Sequence, residues 1–382
     1  MLYTGELLFV LQSKLFIIII SLAVASFASS GELYAQENVL LHPKKFYKKF
    51  FPGLRVKRNP PDSLYVKSYP NYLSVGVHVL LPAVDLNVSS RSNKAMSSEH
   101  TSKLRTNQAD IIGLSVSYRF VTAGFAFLIK PGIQNNYNYA PSHYRTATIK
   151  YNSAAYSLQF KYIRWRGFTD INTANSISYD KYVKRPNMVD KEFQFEGIYN
   201  FGWKKYSYLA PITFSQRQVK SHAGILLKAG VYYNQLSDDS ILVTRQQQPY
   251  FDEFDNVKAI RTLSIKLAPG VGGNLVFLRS IYFSVAAFAS ADLYFYSYLK
   301  NPDETTTNRR AIVYVLDGKT SMGYQSKRVY AGLRFEVENR KAALHSIKMN
   351  TLYSYIGIEL GYRFIAPHIV KKVYKDTMPP GM

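Results

Sequence analysis

Residues 355–364 read "YIGIELGYRF", and residues 113–120 read "GLSVSYRF". Aligned from Gly113 and Gly357, the two phrases share Gly, Tyr, Arg and Phe. At period two, Ile356, Ile358, Leu360, Tyr362 and Phe364 fall on one face, and Gly357, Glu359, Gly361 and Arg363 on the other. The earlier copy sorts the same way, with Leu114, Val116, Tyr118 and Phe120 against Gly113, Ser115, Ser117 and Arg119. An aliphatic face ending in aromatics, opposite small and charged groups, suits a strand with lipid on one side and a polar lumen on the other. On this reading Tyr362, Phe364, Tyr118 and Phe120 sit in an aromatic girdle, while Glu359, Arg363 and Arg119 face inward.

The pattern recurs along the chain. "GILLKAGVYYN" (224–234) sets Ile225, Leu227, Ala229, Val231 and Tyr233 against Lys228, Gly230 and Asn234, and "VYAGLRFEVE" (329–338) sets Val329, Ala331, Leu333, Phe335 and Val337 against Arg334, Glu336 and Glu338. In 282–299, Phe283, Val285, Ala287, Ala289, Ala291, Leu293 and Phe295 share one face, and the other carries Ser284, Ser290, Asp292 and four tyrosines. "SIYFSVAAFASA" (280–291) is too short for a spanning helix before Asp292, and its aromatics alternate at period two. A soluble sandwich also alternates, but its strands average about 5–6 residues, whereas a membrane-crossing strand needs about 9–11. We therefore expect an all-β protein, an antiparallel transmembrane β-barrel of about 12 strands (roughly 10–14) in a closed up-and-down meander. Short turns are expected near Val121–Gly124, Gly202–Lys205, Leu278–Ser280 and Glu338–Lys341, with long polar connections at 89–107, 132–146, 237–257 and 300–325. The short–long alternation fails between about 165 and 222.

The N-terminus reads as an export segment. Lys14 precedes the apolar run Leu15–Ala25, which is short for a bilayer span and is followed by small residues, so cleavage fits after Ala28 or after Ala35. We assign 1–35 to a signal peptide, 36–61 to a basic extension, 62–364 to the barrel and 365–382 to a basic tail. The chain has no cysteine, which excludes a disulfide scaffold, a lipobox acylation site and a Cys-ligated zinc site. Its formal charge is +23; without residues 1–35, which hold Lys14, Glu6 and Glu32, it is 47 − 23 = +24. Behind an export signal, that charge points away from nucleic acid and toward membrane lipids and lipopolysaccharide. The expected location is the cell outer membrane, with the outer-membrane assembly machinery as a further partner. Residues 41–60 carry seven Lys/Arg among aromatics, a composition that suits either an arm on phosphorylated lipid heads or a solvated extension.

Catalytic and cofactor signatures are missing from the sequence. The seven histidines are dispersed, without HExxH or metal-spaced pairs, and no G-x-S-x-G elbow, P-loop or dinucleotide fingerprint appears. Ser221-His222 and His345-Ser346 are neighbours, which on a strand point to opposite faces. "YFDEFDN" (250–256) is the acidic cluster, and Asp252, Glu253 and Asp255 are the candidate ligands for a calcium ion, although the spacing matches no EF-hand. No catalytic or cofactor-binding residue is assigned. The expectation is a non-enzymatic barrel of structural or passive-transport type. Two alternatives stay open: a lipid-modifying hydrolase in the barrel wall, and a pore for small solutes.

Several phrases resemble a family of outer-membrane type from Gram-negative bacteria, that of domain of unknown function 4421. They are "DSLYVKSYPN" (62–71), "GLSVSYRF", "GFTDIN" (167–172), "IKLAPGVGGNLVF" (265–277) and the closing "GYRF". The likeness spans roughly 62–364. It implies an exported β-barrel-like protein and supplies no activity and no functional residues. Here 18 residues follow Phe364, whereas outer-membrane barrels commonly end on an aromatic of the last strand.

Overall fold

Alternating side chains over runs of 8–21 residues form the wall of the protein, seen in a computed structural model. The structure describes residues 60–377 apart from 91–100, 108–109, 130–135, 172–181, 246, 252–253, 301–305 and 346. The expected signal peptide, its cleavage points and most of the basic extension lie outside the described residues.

The strands are β1 (Val66–Ser68), β2 (Tyr72–Ser90), β3 (Thr101–Thr106), β4 (Ile111–Tyr118), β5 (Val121–Leu128), β6 (His143–Asn152), β7 (Tyr156–Asp170), β8 (Val183–Asn200), β9 (Gln216–Gln218), β10 (His222–Ser237), β11 (Val257–Phe277), β12 (Ile281–Lys300), β13 (Thr306–Gln325), β14 (Val329–Ala343) and β15 (Ile347–Ile365). Twelve of them, all but β1, β3 and β9, make an antiparallel meander that closes when β15 pairs with β2. The expected strand number and closure hold. β3 continues β4 upward: β4 pairs with the first half of β2, while β3 pairs with its second half and with the end of β7. This splice bridges the space above the short strands β4–β6. β1 and β9 pair separately, in the segment that enters the barrel from below. Ala366–Thr377 fall in a second unit, which holds a helix, α1 (His368–Thr377).

The two echoing phrases flank one strand. β2 lies between β15 and β4, with Val77 opposite both Leu360 and Leu114. Both glycines make room for β2: a Cβ at Gly113 would overlap the His78 ring, and one at Gly357 would overlap Leu80. The copies then diverge. β4 ends at Tyr118, which pairs with Val121, so Arg119 and Phe120 are the hairpin loop and Arg119 has φ 53°. Arg119 is thus a turn residue rather than a lumen residue, and Tyr118 is buried rather than girdle-exposed. Strand-forming "VTAG" follows at once and forces the tight turn. Arg363 does face inward and is fully buried.

Other turns also moved. The Val121–Gly124 stretch lies in β5 and Glu338–Lys341 in β14; one turn is at 119–120 and the other follows Ala343, while 278–280 stands as expected. The polar connection expected at 300–325 is mostly β13. Its inner face takes Asp317, Ser321 and Gln325, which makes the strand read as a loop. In the region after about residue 165, where the alternation was expected to fail, β7 runs on to Asp170 and β8 begins at Val183.

Lipid-type side chains form a continuous outer belt. Leu275, Phe283, Met322, Leu333, Ile358 and Val79 are successive cross-strand neighbours, and all are exposed. On β11 the exposed apolars run from Ile265 to Phe277. Those twelve steps, each about 3.3 Å and tilted about 40°, rise about 30 Å, the height of a bilayer core. Tyr199, Phe201, Phe277, Tyr324 and Phe364 mark its lower edge. Above the belt, β8 and β11–β13 continue well past the 9–11 residues that crossing requires.

A plugged lumen with a charged chamber

Residues 201–221 occupy the bottom of the barrel. Tyr206, Tyr208, Leu209, Ala210 and Phe214 are all buried there. The seat beneath them is polar. Arg363 donates from Nε (3.0 Å) and Nη2 (2.6 Å) to the Phe214 carbonyl, and from Nη1 to that of Ser326 (2.7 Å). Its guanidinium lies 4.4 Å from the Tyr69 ring centroid and 5.1 Å from that of Tyr330, and Tyr330 stacks on Phe214 at 4.3 Å. Arg334 donates to the Ile212 carbonyl (2.8 Å), Gln325 to that of Ala210 (2.6 Å), Asn274 to that of Ser207 (2.8 Å), and Asn200 to that of Tyr206 (2.8 Å). Phe214 has φ 53°, so the segment is bent where Arg363 holds it. Burial pushes the Tyr206 and Tyr208 phenols above the ordinary tyrosine range.

The top is filled differently. From the connection 238–256, Leu242, Val243, Phe251 and Phe254 pack inside the wall with Trp165, Met188, Tyr296 and Tyr298. Phe254 meets Tyr298 edge-on at 5.3 Å. Arg185 fixes the start of the loop through Asp238 (2.7 Å) and the Ile241 carbonyl (2.7 Å). Of the three candidate metal ligands, Asp252 and Glu253 lie outside the described residues. Asp255 is exposed, beside two phenylalanines that point inward. Among the described residues no group of three potential ligands gathers. The phrase "YFDEFDN" supplies apolar anchors at Phe251 and Phe254.

Between the two fillings lies a cavity of about 240 Å³ whose lining mixes many charged and polar side chains with apolar ones such as Leu80, Ile111 and Trp165. β14 alone turns Arg334, Glu336, Glu338 and Arg340 into it. Arg334 pairs with Glu359 (2.8 Å) and Lys319 with Glu336 (3.4 Å). Arg340 bridges Glu192 (2.8 Å) and Glu338 (2.7 Å), and Lys228 holds Asp317 and lies 3.8 Å from Glu196. Lys266 completes the network through Glu338 (3.3 Å) and Asp292 (3.7 Å). Two further lining cations, Lys150 on β6 and Lys161 on β7, have no carboxylate of the described residues at ion-pair distance.

The sequence reading placed Glu359, Arg363, Arg334, Glu336, Glu338 and Lys228 inward, and all are there. It missed Lys150, Lys161, Glu192 and Glu196. "KEFQFEG" (191–197) carried the signal, since Glu192, Gln194 and Glu196 alternate with Phe193 and Phe195. The hydrolase alternative needs a serine and a histidine brought together from different strands. His78, Ser115 and Glu359 do line one side of the chamber, but Ser115 Oγ is turned toward the Gly76 carbonyl at 3.5 Å.

Solved structures of outer-membrane proteins share the architecture at low sequence identity. The outer membrane protease OmpT from Escherichia coli aligns with TM-score 0.38 and 8% identity, over 78% of this chain and 98% of that one. The translocator domain of the autotransporter NalP from Neisseria meningitidis aligns with TM-score 0.36 and 12% identity, over 76% and 88%. An outer membrane channel from Pseudomonas putida F1 aligns with TM-score 0.34 and 11% identity, over 80% and 100%. No curated protein matches the sequence. The family described as Domain of unknown function (DUF4421) matches residues 60–364, from the strand β1 approach to the end of β15, and the chain belongs to it.

Proposed function

We propose that the protein is an integral outer-membrane barrel that acts as a gated conduit for small polar solutes, with residues 201–221 as the gate. The polar seat of that segment carries the reading. Side chains of five wall residues donate to its main-chain carbonyls. The bonds from the neutral amides are each worth about 0.5–1.5 kcal/mol net of water and those from Arg334 and Arg363 about 1.5–3 kcal/mol, and all of them can exchange for bonds to solvent. The lower filling adds this polar seat to its own buried apolar side chains, whereas the upper one is chiefly apolar. The charged chamber points the same way, because buried ion pairs stabilise a fold weakly or not at all.

The apolar belt and the export segment Leu15–Ala25 support an outer-membrane location. No described helix is long and apolar enough to cross a membrane. A non-enzymatic role is supported by the engagement of every chamber carboxylate in an ion pair. Extraction of membranes with carbonate tests the location: release of the mature chain into the soluble fraction overturns it. Planar bilayers test the gate. Wild-type protein is expected to be nearly silent, and the doubly substituted Arg363→Ala/Gln325→Ala protein, folded by heat-modifiable mobility, to give conductance steps. Silence of the folded double variant overturns gating and leaves a structural role.

A further inference from the structure

The charges of the chamber sort into two unequal groups. Lys228, Lys266 and Arg340 share five carboxylates, Glu192, Glu196, Asp292, Asp317 and Glu338, leaving that side two negative. On the other side Lys319 and Arg334 each take one carboxylate, Glu336 and Glu359. Lys150 and Lys161 add two positive charges there. Lys150 lies within electrostatic reach of Lys319, Arg334 and Lys161, and of two carboxylates, Glu336 and Glu359, already held by Lys319 and Arg334. Lys161 bears on that same Glu336. Four cations thus converge with two carboxylates within the barrel wall, where Lys150 and Lys161 are half-buried. Like charges at such range repel several times more strongly than in solvent.

We infer that the chamber binds a small oxyanion, a phosphate or a carboxylate, between Lys150 and Lys161. This deepens the reading of the lumen as a solute path and rests on it. Thr148 and Gln159 line the same wall as cross-strand partners of Lys161 and Lys150, and supply neutral donors beside the two ammonium groups. Size restricts the ligand. About 240 Å³ falls below the range of drug-sized pockets, so an anion of a few heavy atoms fits and a lipid with its acyl chains does not.

The test is an equilibrium one that does not need an open gate. The full chain is refolded into lipid vesicles with labelled inorganic phosphate, washed, and its retained label measured against competing unlabelled phosphate or acetate. Wild-type protein should retain phosphate saturably, and Lys150→Met/Lys161→Met should bind at least roughly tenfold more weakly. Urea midpoints give a second readout. Phosphate should raise the wild-type midpoint alone, and in phosphate-free, low-salt buffer the double variant should be at least as stable as wild type, because it lacks the repulsion. Absent or non-saturable retention, equal retention by the double variant, or a double variant less stable in both buffers overturns the site. Retention by wild type together with silence of the released-gate variant would sink the conduit reading and keep the anion site.

Discussion

Leu360 and Gly361 are neighbours in sequence and opposites in environment. Leu360 is 59% exposed on the belt, whereas a Cβ at Gly361 would overlap the Tyr330 ring inside. A lysine at Leu360 places charge in hydrocarbon and should cost about 2–4 kcal/mol. Leu114→Lys, across β2 from it, should do the same. Ser115→Lys puts its ammonium beside Glu359 in the chamber, where it adds to the cations but stays out of hydrocarbon, and should cost less than Leu114→Lys. Gly361→Ala, by contrast, should destabilise by about 1–3 kcal/mol, since Tyr330 is pinned between Phe214 and Arg363 and cannot yield. Urea midpoints in lipid vesicles rank the four, and Ser115→Lys falling with Leu114→Lys would reverse the faces. Period two made these faces legible from the sequence alone. What it could not give is the filling of the lumen: nothing in "GYRF" says that Arg363 grips the carbonyl of a residue 149 positions earlier while Arg119 ends as a turn.

At the scale of elements, the strands were legible where lipid-facing aliphatics punctuate them, and illegible where the chain leaves the bilayer. β13 looked like a loop because Asp317, Gly318 and Lys319 interrupt it, yet two of them are held by ion pairs, Asp317 with Lys228 of β10 and Lys319 with its cross-strand neighbour Glu336. The failure of short–long alternation between 165 and 222 was a true signal. Its cause is the segment 201–221, a connection at the short-turn end that folds inward. The upper filling makes a contrasting prediction. Phe254 is buried against Phe251 and Tyr298, so Phe254→Ala should cost about 3–5 kcal/mol in loop packing, as for other buried phenylalanines. Limited proteolysis should then cut within 238–256 while the barrel keeps its heat-modifiable mobility. Resistance equal to wild type would mean that the apolar cluster does not hold the loop.

The molecule as a whole has two unlike ends, and their assignment follows from topology. Both ends of the meander, Tyr72 and Ile365, lie at the end of the turns 119–120, 153–155, 278–280 and 326–328. Barrels place short turns toward the periplasm and longer connections outside. The described residues at the other end of the strands, among them 136–142 and 238–245, are therefore expected to face the exterior, and the segment 201–221, the proposed gate, the periplasm. Absence of cysteine makes this directly measurable, since any label reports only the residue introduced. Tyr137, 86% exposed, belongs to the outer end, and Leu278, 87% exposed, to the turn between β11 and β12. On intact cells, a membrane-impermeant maleimide should modify Tyr137→Cys and spare Leu278→Cys. Permeabilising the outer membrane should bring Leu278→Cys up to the level of Tyr137→Cys. Labelling of Leu278→Cys alone before permeabilisation would turn the barrel over and put the gate at the cell surface. Equal labelling of both in the soluble fraction would remove it from the membrane altogether.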